Sequence, residues 1–239
     1  MKTLLVTGAS SDMAASLFNL VADRYDTVWA HYRSSADAVR RLSDRYGDKI
    51  VPVQADFADA DSIARMIDTI RQDGRVPDHI VLMSAEELSY KKFAKAEPED
   101  FTKALTIGPQ SAVRLLQAFL PGMKKRGSGR VVFLLSVCTE GVPPKYMSSY
   151  VTGKYAMLGL MRALAAEYEG SGVSVNAVSP DMTDTRYLDT VPALIKETAA
   201  ASMPAGRLLT PEETARVMQS LLADDSTANG QNLIVTGGG

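Results

Sequence analysis

Tyr150 and Lys154 stand four residues apart in the stretch Ser148-Ser-Tyr-Val-Thr-Gly-Lys-Tyr-Ala-Met-Leu-Gly-Leu160. Beyond them Met157, Leu158, Leu160, Met161, Leu164 and Ala165 recur at three- and four-residue steps, which predicts one helix running to Tyr168. Four residues make about one helical turn, so a Lys154 ammonium beside the Tyr150 phenol would favour its ionised form. A phenol drawn down from its ordinary value of about 10 is suited to handing a proton to a carbonyl oxygen. Upstream, Arg130-Val-Val-Phe-Leu-Leu-Ser136 reads as a buried strand ending in a hydroxyl. Ligand sites in open α/β sheets lie at the carboxyl ends of strands, so Ser136 could hydrogen-bond the oxygen that Tyr150 protonates. Without Ser136 the pair would equally fit two surface residues on an ordinary helix.

The elements that must position these groups alternate along the chain. Strands are expected at Thr3 to Thr7, Thr27 to His31, Ile50 to Gln54, His79 to Met83, Arg130 to Ser136, Val173 to Val178 and Asn232 to Thr236, each rich in Val, Ile or Leu. Helices are expected after Asp12 and over Ala36 to Tyr46, Ala60 to Asp73, Pro109 to Arg126, Tyr150 to Tyr168 and Pro211 to Ala223. Strand and helix in alternation imply right-handed crossovers and a parallel sheet covered on both faces. The 239 residues, 46% hydrophobic, suit one such α/β domain over 1–239. The least regular segment, 181–209, reads as a substrate lid or as a peripheral helical insertion.

Composition narrows the partners. With 26 basic and 28 acidic residues, the formal charge of −2 points to neither nucleic acid nor an anionic membrane. Cys138 is the only cysteine, which excludes an internal disulfide and leaves no cysteine cluster for a metal, so no metal is expected. The apolar run after Met1 is too short for a signal peptide or a membrane span, and a cytoplasmic protein is expected.

The first strand leads into Thr7-Gly8-Ala9-Ser10-Ser11-Asp12-Met13-Ala14. Strand, glycine turn and helix start form a phosphate cradle, because free backbone N–H groups and the positive helix end face the ligand. Only Gly8 stands where a dinucleotide fingerprint has three glycines. Asp12 reads equally as the helix N-cap, with its carboxylate turned back onto its own helix. After the second strand, His31-Tyr32-Arg33-Ser34-Ser35 contains no carboxylate, and Arg33 favours the extra phosphate of NADP over the ribose hydroxyls of NAD; a solvated Arg is the alternative. Asp56 after the third strand could accept from an adenine amino group with Phe57 packed nearby, or could cap its own loop.

Thr7-Gly8, Arg33, Asp56, Ser136, Tyr150-x-x-x-Lys154, Asn176-Ala-Val-Ser-Pro180 and the closing Gly230-Gln-Asn-Leu-Ile-Val-Thr-Gly-Gly238 follow in an order and spacing that resembles the short-chain dehydrogenase/reductase family, most closely its 3-oxoacyl-[acyl carrier protein] reductases. The resemblance covers essentially the whole chain. It implies a Rossmann-type, doubly wound sheet of seven parallel strands in a single domain, usually assembled as a homo-tetramer or dimer. It implies Tyr150 as proton donor, Lys154 as the residue that binds the nicotinamide ribose and lowers the Tyr150 pKa, and Ser136 as the group that orients the carbonyl. Ser148 and Ser149 are weaker candidates for that last role, with helix capping the alternative. NADPH would lie along Gly8, Ser10, Ser11, Asp12, Met13, Arg33, Asp56, Phe57, Ser84, Ala85, Tyr150, Lys154, Pro180, Thr183 and Thr185, the last at the position that holds the nicotinamide carboxamide.

Four departures from the family pattern bear on function. Met83-Ser84-Ala85-Glu86 stands for Asn-Asn-Ala-Gly, Pro180-Asp181 for Pro-Gly, Asp12 for a glycine, and Gly108 for an Asn that positions a relay water. Two functions are therefore expected: an NADPH-dependent reductase of a small-molecule or carrier-bound carbonyl, such as a 3-oxoacyl thioester, or a non-catalytic subunit of that fold in a heteromeric complex. Lys124-Lys125-Arg126 could meet an acidic carrier protein, or could simply favour a helix C-terminus.

Overall fold

The computed structural model describes residues 1–72 and 74–237. Asp73, expected to close a helix, and Gly238, in the closing motif, lie outside the described residues. Among the described residues the strands are β1 (Thr3–Thr7), β2 (Thr27–Tyr32), β3 (Ile50–Gln54), β4 (His79–Leu82), β5 (Gly129–Leu134), β6 (Val173–Pro180) and β7 (Asn232–Val235). They form one parallel sheet in the order β3-β2-β1-β4-β5-β6-β7. This is the Rossmann-type single domain that the alternation of elements implies.

Side chains of these strands alternate between two cores because successive residues of a strand face opposite ways. Leu5, Ile80, Leu82, Val131 and Phe133 pack on one face with α3 (Ala60–Arg71), α5 (Ser111–Arg126) and α6 (Ser148–Glu167), through Ile63, Met66, Leu115, Phe119, Met157 and Met161. Leu4, Val6, Val81 and Val132 pack on the other with α1 (Asp12–Val21), α2 (Ala36–Tyr46) and α8 (Pro211–Leu221), through Leu17, Phe18, Val39, Leu42, Ala215 and Met218. The strands are thus apolar on both faces, as parallel strands between helices must be.

Several boundaries differ from expectation. The strand expected to reach Ser136 stops at Leu134, and Ser136 instead caps a short 3-10 turn, Val137–Thr139, by accepting the Cys138 N–H at 3.3 Å. The helix expected from Pro109 starts at Ser111 and continues from α4 (Pro98–Leu105) through a π-helical turn, Thr106–Gln110. That wider turn accommodates Pro109, whose ring and missing N–H disturb a regular ladder. In α6 the cap position belongs to Met147, so Ser148 and Ser149 lie inside the helix and cap nothing. Within 181–209 lie a 3-10 turn, Arg186–Leu188, and α7 (Ala193–Ser202), which contains no fully buried residue.

Two histidines are buried as neutral rings, His79 at the amino end of β4 and His31 near the carboxyl end of β2. His79 accepts or donates at Nδ1 against the Tyr25 hydroxyl at 2.6 Å, and burial pulls its pKa down to about 3. His31 is pulled down to about 4 by the same cause. Below about pH 6.5 the unfolded chain takes up protons that the folded chain refuses until those lower values. Stability is therefore full above about pH 6.5 and declines as pH falls toward 4, with a slope approaching about 1.4 kcal/mol per pH unit for each histidine. Urea midpoints of His31→Gln and His79→Gln should fall less steeply than those of the parent between pH 6.5 and 4. Parallel declines would contradict this account.

Candidate active site

The cleft opens where the loops after β1 and β4 diverge, the switch point at which open α/β sheets bind ligands. Its volume is about 500 Å³ and its lining is mainly apolar. Ser136, Tyr150 and Lys154 all line it, delivered by the β5 exit and by α6, so the structure brings the three residues together. The Ser136 hydroxyl acts on the Tyr150 phenol in favour of its ionised form. Lys154 Nζ lies 5.5 Å from the centre of the Tyr150 ring and donates to the Leu134 carbonyl at 2.9 Å.

The expected lowering of the Tyr150 pKa is not what the structure has. Burial raises it well above 10, the Cys138 thiolate form and Tyr90 push the same way, and Ser136 offsets only part of this. The ammonium that was to lower it sits over the ring face and bonds a backbone oxygen. Burial also pulls Lys154 down to about 8, with Cys138 opposing the shift. Both side chains keep some exposure toward the cleft, so these shifts arise in a narrow apolar pocket and not in the sheet core. At neutral pH the phenol holds its proton and the amine is mostly charged.

The phosphate loop is tied down from behind. Gly8 donates its N–H to His31 Nδ1 at 3.1 Å, which leaves His31 Nε2 as the protonated nitrogen donating to the Ala55 carbonyl at 3.1 Å. His31 in turn stacks on Phe57 with ring centres 4.0 Å apart. Phe57 is therefore a buried prop behind the loop and not a surface against which adenine packs. Asp56 caps its own loop through the Ala58 N–H at 2.9 Å, and Arg33 is exposed at the end of β2.

Asp12 does not cap α1. Ser11 does, accepting the Ala14 N–H at 3.1 Å. The Asp12 carboxylate instead faces Arg186: Oδ1 accepts from Nε at 2.8 Å, Oδ2 accepts from the Arg186 backbone N–H at 2.8 Å, and the guanidinium also donates to the Ser10 carbonyl at 3.1 Å. Burial works to raise the Asp12 pKa, but the hydrogen bonds and charge of Arg186 prevail and hold it below the usual carboxylate value. Ser10, Ser11, Asp12, Met13, Ala85, Pro180, Thr183 and Thr185 line the cleft, and Ser84 is not among its lining residues. Thr183 and Thr185 bond within their own loop, the first to the Asp181 carbonyl at 2.9 Å.

Sequence reasoning missed Tyr90, Met147, Arg186 and Tyr187, which also line the cleft. The Tyr187 hydroxyl donates to the Glu86 carbonyl at 2.8 Å; more than a third of the residue is exposed on the outside, while its phenol end is enclosed enough to be pushed well above its ordinary pKa. An Arg and a Tyr directly after Thr185 were the available signal. Gly108 lies in the π-helical turn beside Met157, with room for a Cβ at 3.7 Å. Lys124, Lys125 and Arg126 end α5 at the opposite, amino edge of the sheet, where Arg126 is spent on the Val76 and Pro77 carbonyls and on Asp78. That placement matches helix-end charges and lies away from the cleft.

A dinucleotide fits what is present. Gly8 has φ +68° and a Cβ there would stand 3.3 Å from the Met83 carbonyl and the Ser84 nitrogen, so only glycine lets the first loop approach the β4 exit this closely. The Ser84 Oγ beside it is buried with no hydrogen-bond partner among the described residues. The N–H groups of Ser10, Asp12 and Met13 likewise have no backbone partner there, as expected of a helix start prepared for phosphate. Among the described residues no group of three His, Cys, Asp or Glu could hold a metal ion, and no helix is long and apolar enough to cross a membrane.

Comparison with known proteins agrees with this geometry. A family model described as enoyl-(acyl carrier protein) reductase matches residues 8–239. Cis-4-hydroxycyclohexanecarboxylate dehydrogenase of Sinomonas cyclohexanicum is 30% identical over 99% of this chain and 96% of that protein. The 3-oxoacyl-[acyl-carrier-protein] reductase FabG of Thermotoga maritima is 26% identical over 99% and 97%. A solved structure described as a short chain dehydrogenase/reductase family protein has a TM-score of 0.85 at 27% identity, covering 98% of this chain and 95% of that one.

Gly8→Ala should lower stability by about 1–2 kcal/mol, because a left-handed backbone and a close approach are both imposed on a side chain. Urea unfolding checks this, and a change under about 0.3 kcal/mol would mean that the loop relaxes freely.

Proposed function

Because this chain belongs to the short-chain dehydrogenase/reductase family, and is thereby an NAD(P)-dependent oxidoreductase acting between C–OH and C=O groups, we propose that it is an NADPH-dependent carbonyl reductase that uses Ser136, Tyr150 and Lys154. The observation that carries the reading is the convergence of those three side chains on one cleft, with Lys154 over the Tyr150 ring. Bound NADPH would supply the hydride.

The remaining work falls to side chains. Tyr150, protonated across the neutral range, gives its proton to the substrate oxygen, and Ser136 donates a hydrogen bond to the same oxygen as charge develops there. Lys154 keeps one anchor on Leu134 and has further N–H donors for ribose hydroxyls. Its charge stabilises the tyrosinate left behind, so the pKa that matters for turnover is that of the loaded site. Gly108 offers no side chain to a proton relay, and the single Ser111 hydroxyl proton is shared between the Ile107 and Gly108 carbonyls at 2.6 and 3.0 Å.

For the substrate we favour a 3-oxoacyl thioester. The mainly apolar cleft suits an acyl chain, and one relative is a reductase of that class, although the other acts on a cyclic hydroxy acid at slightly higher identity. Rates on a carrier-bound 3-oxoacyl substrate against those on cyclic ketones decide between them. Arg33, exposed beyond β2 with no carboxylate partner among the described residues, supports NADPH over NADH.

Tyr150→Phe should lower kcat by about 10² or more while leaving NADPH affinity within about threefold. Retention of half the parent rate would remove Tyr150 as proton donor. Arg33→Ala should weaken NADPH at least about tenfold and NADH little, since only the extra phosphate can use that guanidinium. Equal losses in fluorescence titrations would sink the NADP preference.

A further inference from the structure

Asp12 and Arg186 are 174 residues apart in sequence and meet across the mouth of the cleft. Asp12 opens α1 at the end of the phosphate loop, and Arg186 opens the 3-10 turn that follows β6. Four contacts join them or their neighbours: Nε and a terminal nitrogen of the guanidinium reach Oδ1 at 2.8 and 2.7 Å, the Arg186 N–H reaches Oδ2 at 2.8 Å, and the guanidinium donates to the Ser10 carbonyl at 3.1 Å. Both carboxylate oxygens are thereby occupied. The other terminal nitrogen, Nη1, makes no hydrogen bond among the described residues, and the Arg186 side chain is 62% exposed while lining the cleft.

An exposed ion pair made for stability alone contributes little. This one involves a backbone N–H and a second carbonyl, and it stands at the helix start where a dinucleotide would place its pyrophosphate. A lone carboxylate there would repel phosphate; a carboxylate held face-on by a guanidinium does not, and the free edge of that guanidinium is a planar donor suited to phosphate oxygens.

Resting on the reading of this cleft as a dinucleotide site, we propose that Arg186 is a cofactor-binding residue. Asp12 fixes its guanidinium over the phosphate loop, and Arg186 presents its remaining N–H donors to the pyrophosphate. Asp12 and Arg186 thus work as one unit that replaces a glycine and a bare helix end. The Asp12 carboxylate harms binding only when Arg186 is absent.

NADPH titration followed by its fluorescence, on the parent, Asp12→Asn, Arg186→Ala and the double variant, tests this, with thermal melts of each to confirm folding. Arg186→Ala should weaken binding at least about tenfold, because it removes a donor and uncovers a negative charge. Asp12→Asn, which keeps an acceptor for the guanidinium but loses the charge, should weaken binding less than Arg186→Ala does, and the double variant should recover at least about threefold over Arg186→Ala, since contacting charges are not additive. If Arg186→Ala does not fold, Arg186→Gln against Arg186→Lys reads the same quantity, with only Lys expected to stay within about tenfold of the parent. Parent-like affinity in Arg186→Ala or Arg186→Gln, or a double variant as weak as Arg186→Ala, would overturn the proposal even though the parent binds NADPH; in that case a lowered melting temperature alone would mark the pair as a strap. A parent that binds neither NADPH nor NADH would overturn the dinucleotide reading and this proposal with it.

Discussion

The site depends on a seam in the sheet. From β1 the chain winds outward through β2 and β3, then returns to lay β4 along the other side of β1, so the loops that follow β1 and β4 part and leave a crevice. Thr7 holds that seam, its hydroxyl accepting the N–H of Met83 at 2.9 Å and of Ser84 at 3.2 Å. Gly8 then brings the backbone against the same two residues, and His31 fixes the Gly8 N–H from behind. Every later contribution arrives at a position that this seam has already defined: Ser136 from the β5 exit, Tyr150 and Lys154 from α6, and Arg186 from the β6 exit.

The fold was legible because it rests on local pattern. Strands apolar on both faces and helices with a three- and four-residue apolar step are repeated along the chain, and each repetition supports the same architecture. The proposed catalytic residues were legible for a related reason: Tyr150 and Lys154 are one turn apart on a single helix, so their proximity is a local fact. Boundaries were less legible where a side chain or proline decided them. Ser136 left its strand because its hydroxyl could cap the next turn, and Pro109 widened a helix into a π turn instead of starting a new one.

What the sequence could not show is any pairing made across the cleft. Asp12 looked like a cap because Asp at a helix start commonly is one, and nothing local reveals that Ser11 takes the cap while Arg186 takes the carboxylate. The rise of the Tyr150 pKa was hidden on similar grounds. Helical spacing set the residues side by side, but the direction of the ammonium was settled by the Leu134 carbonyl, which belongs to another element. The adenosine end shows the same limit, since Phe57 faces His31 and the sheet.

The two ends of the cleft meet opposite electrostatic demands. At the phosphate end, permanent ligand charge must be matched, and exposure lets the Asp12–Arg186 pair keep both its charges at modest cost. At the catalytic end the new charge on the phenol exists only while a proton moves, and the apolar lining resists it: burial raises Tyr150 and lowers Lys154, each toward its neutral form. A carboxylate is therefore tolerable beside Ser10 and would be costly beside Tyr150. Glu86, on the loop after β4, illustrates the difference, because burial and the nearby Asp100 raise its pKa, and it meets Tyr187 through its backbone carbonyl and not through its carboxyl group. The Asp12 departure is thus placed where solvent and a partner charge absorb it, while among the described residues no carboxylate stands beside the proposed proton donor.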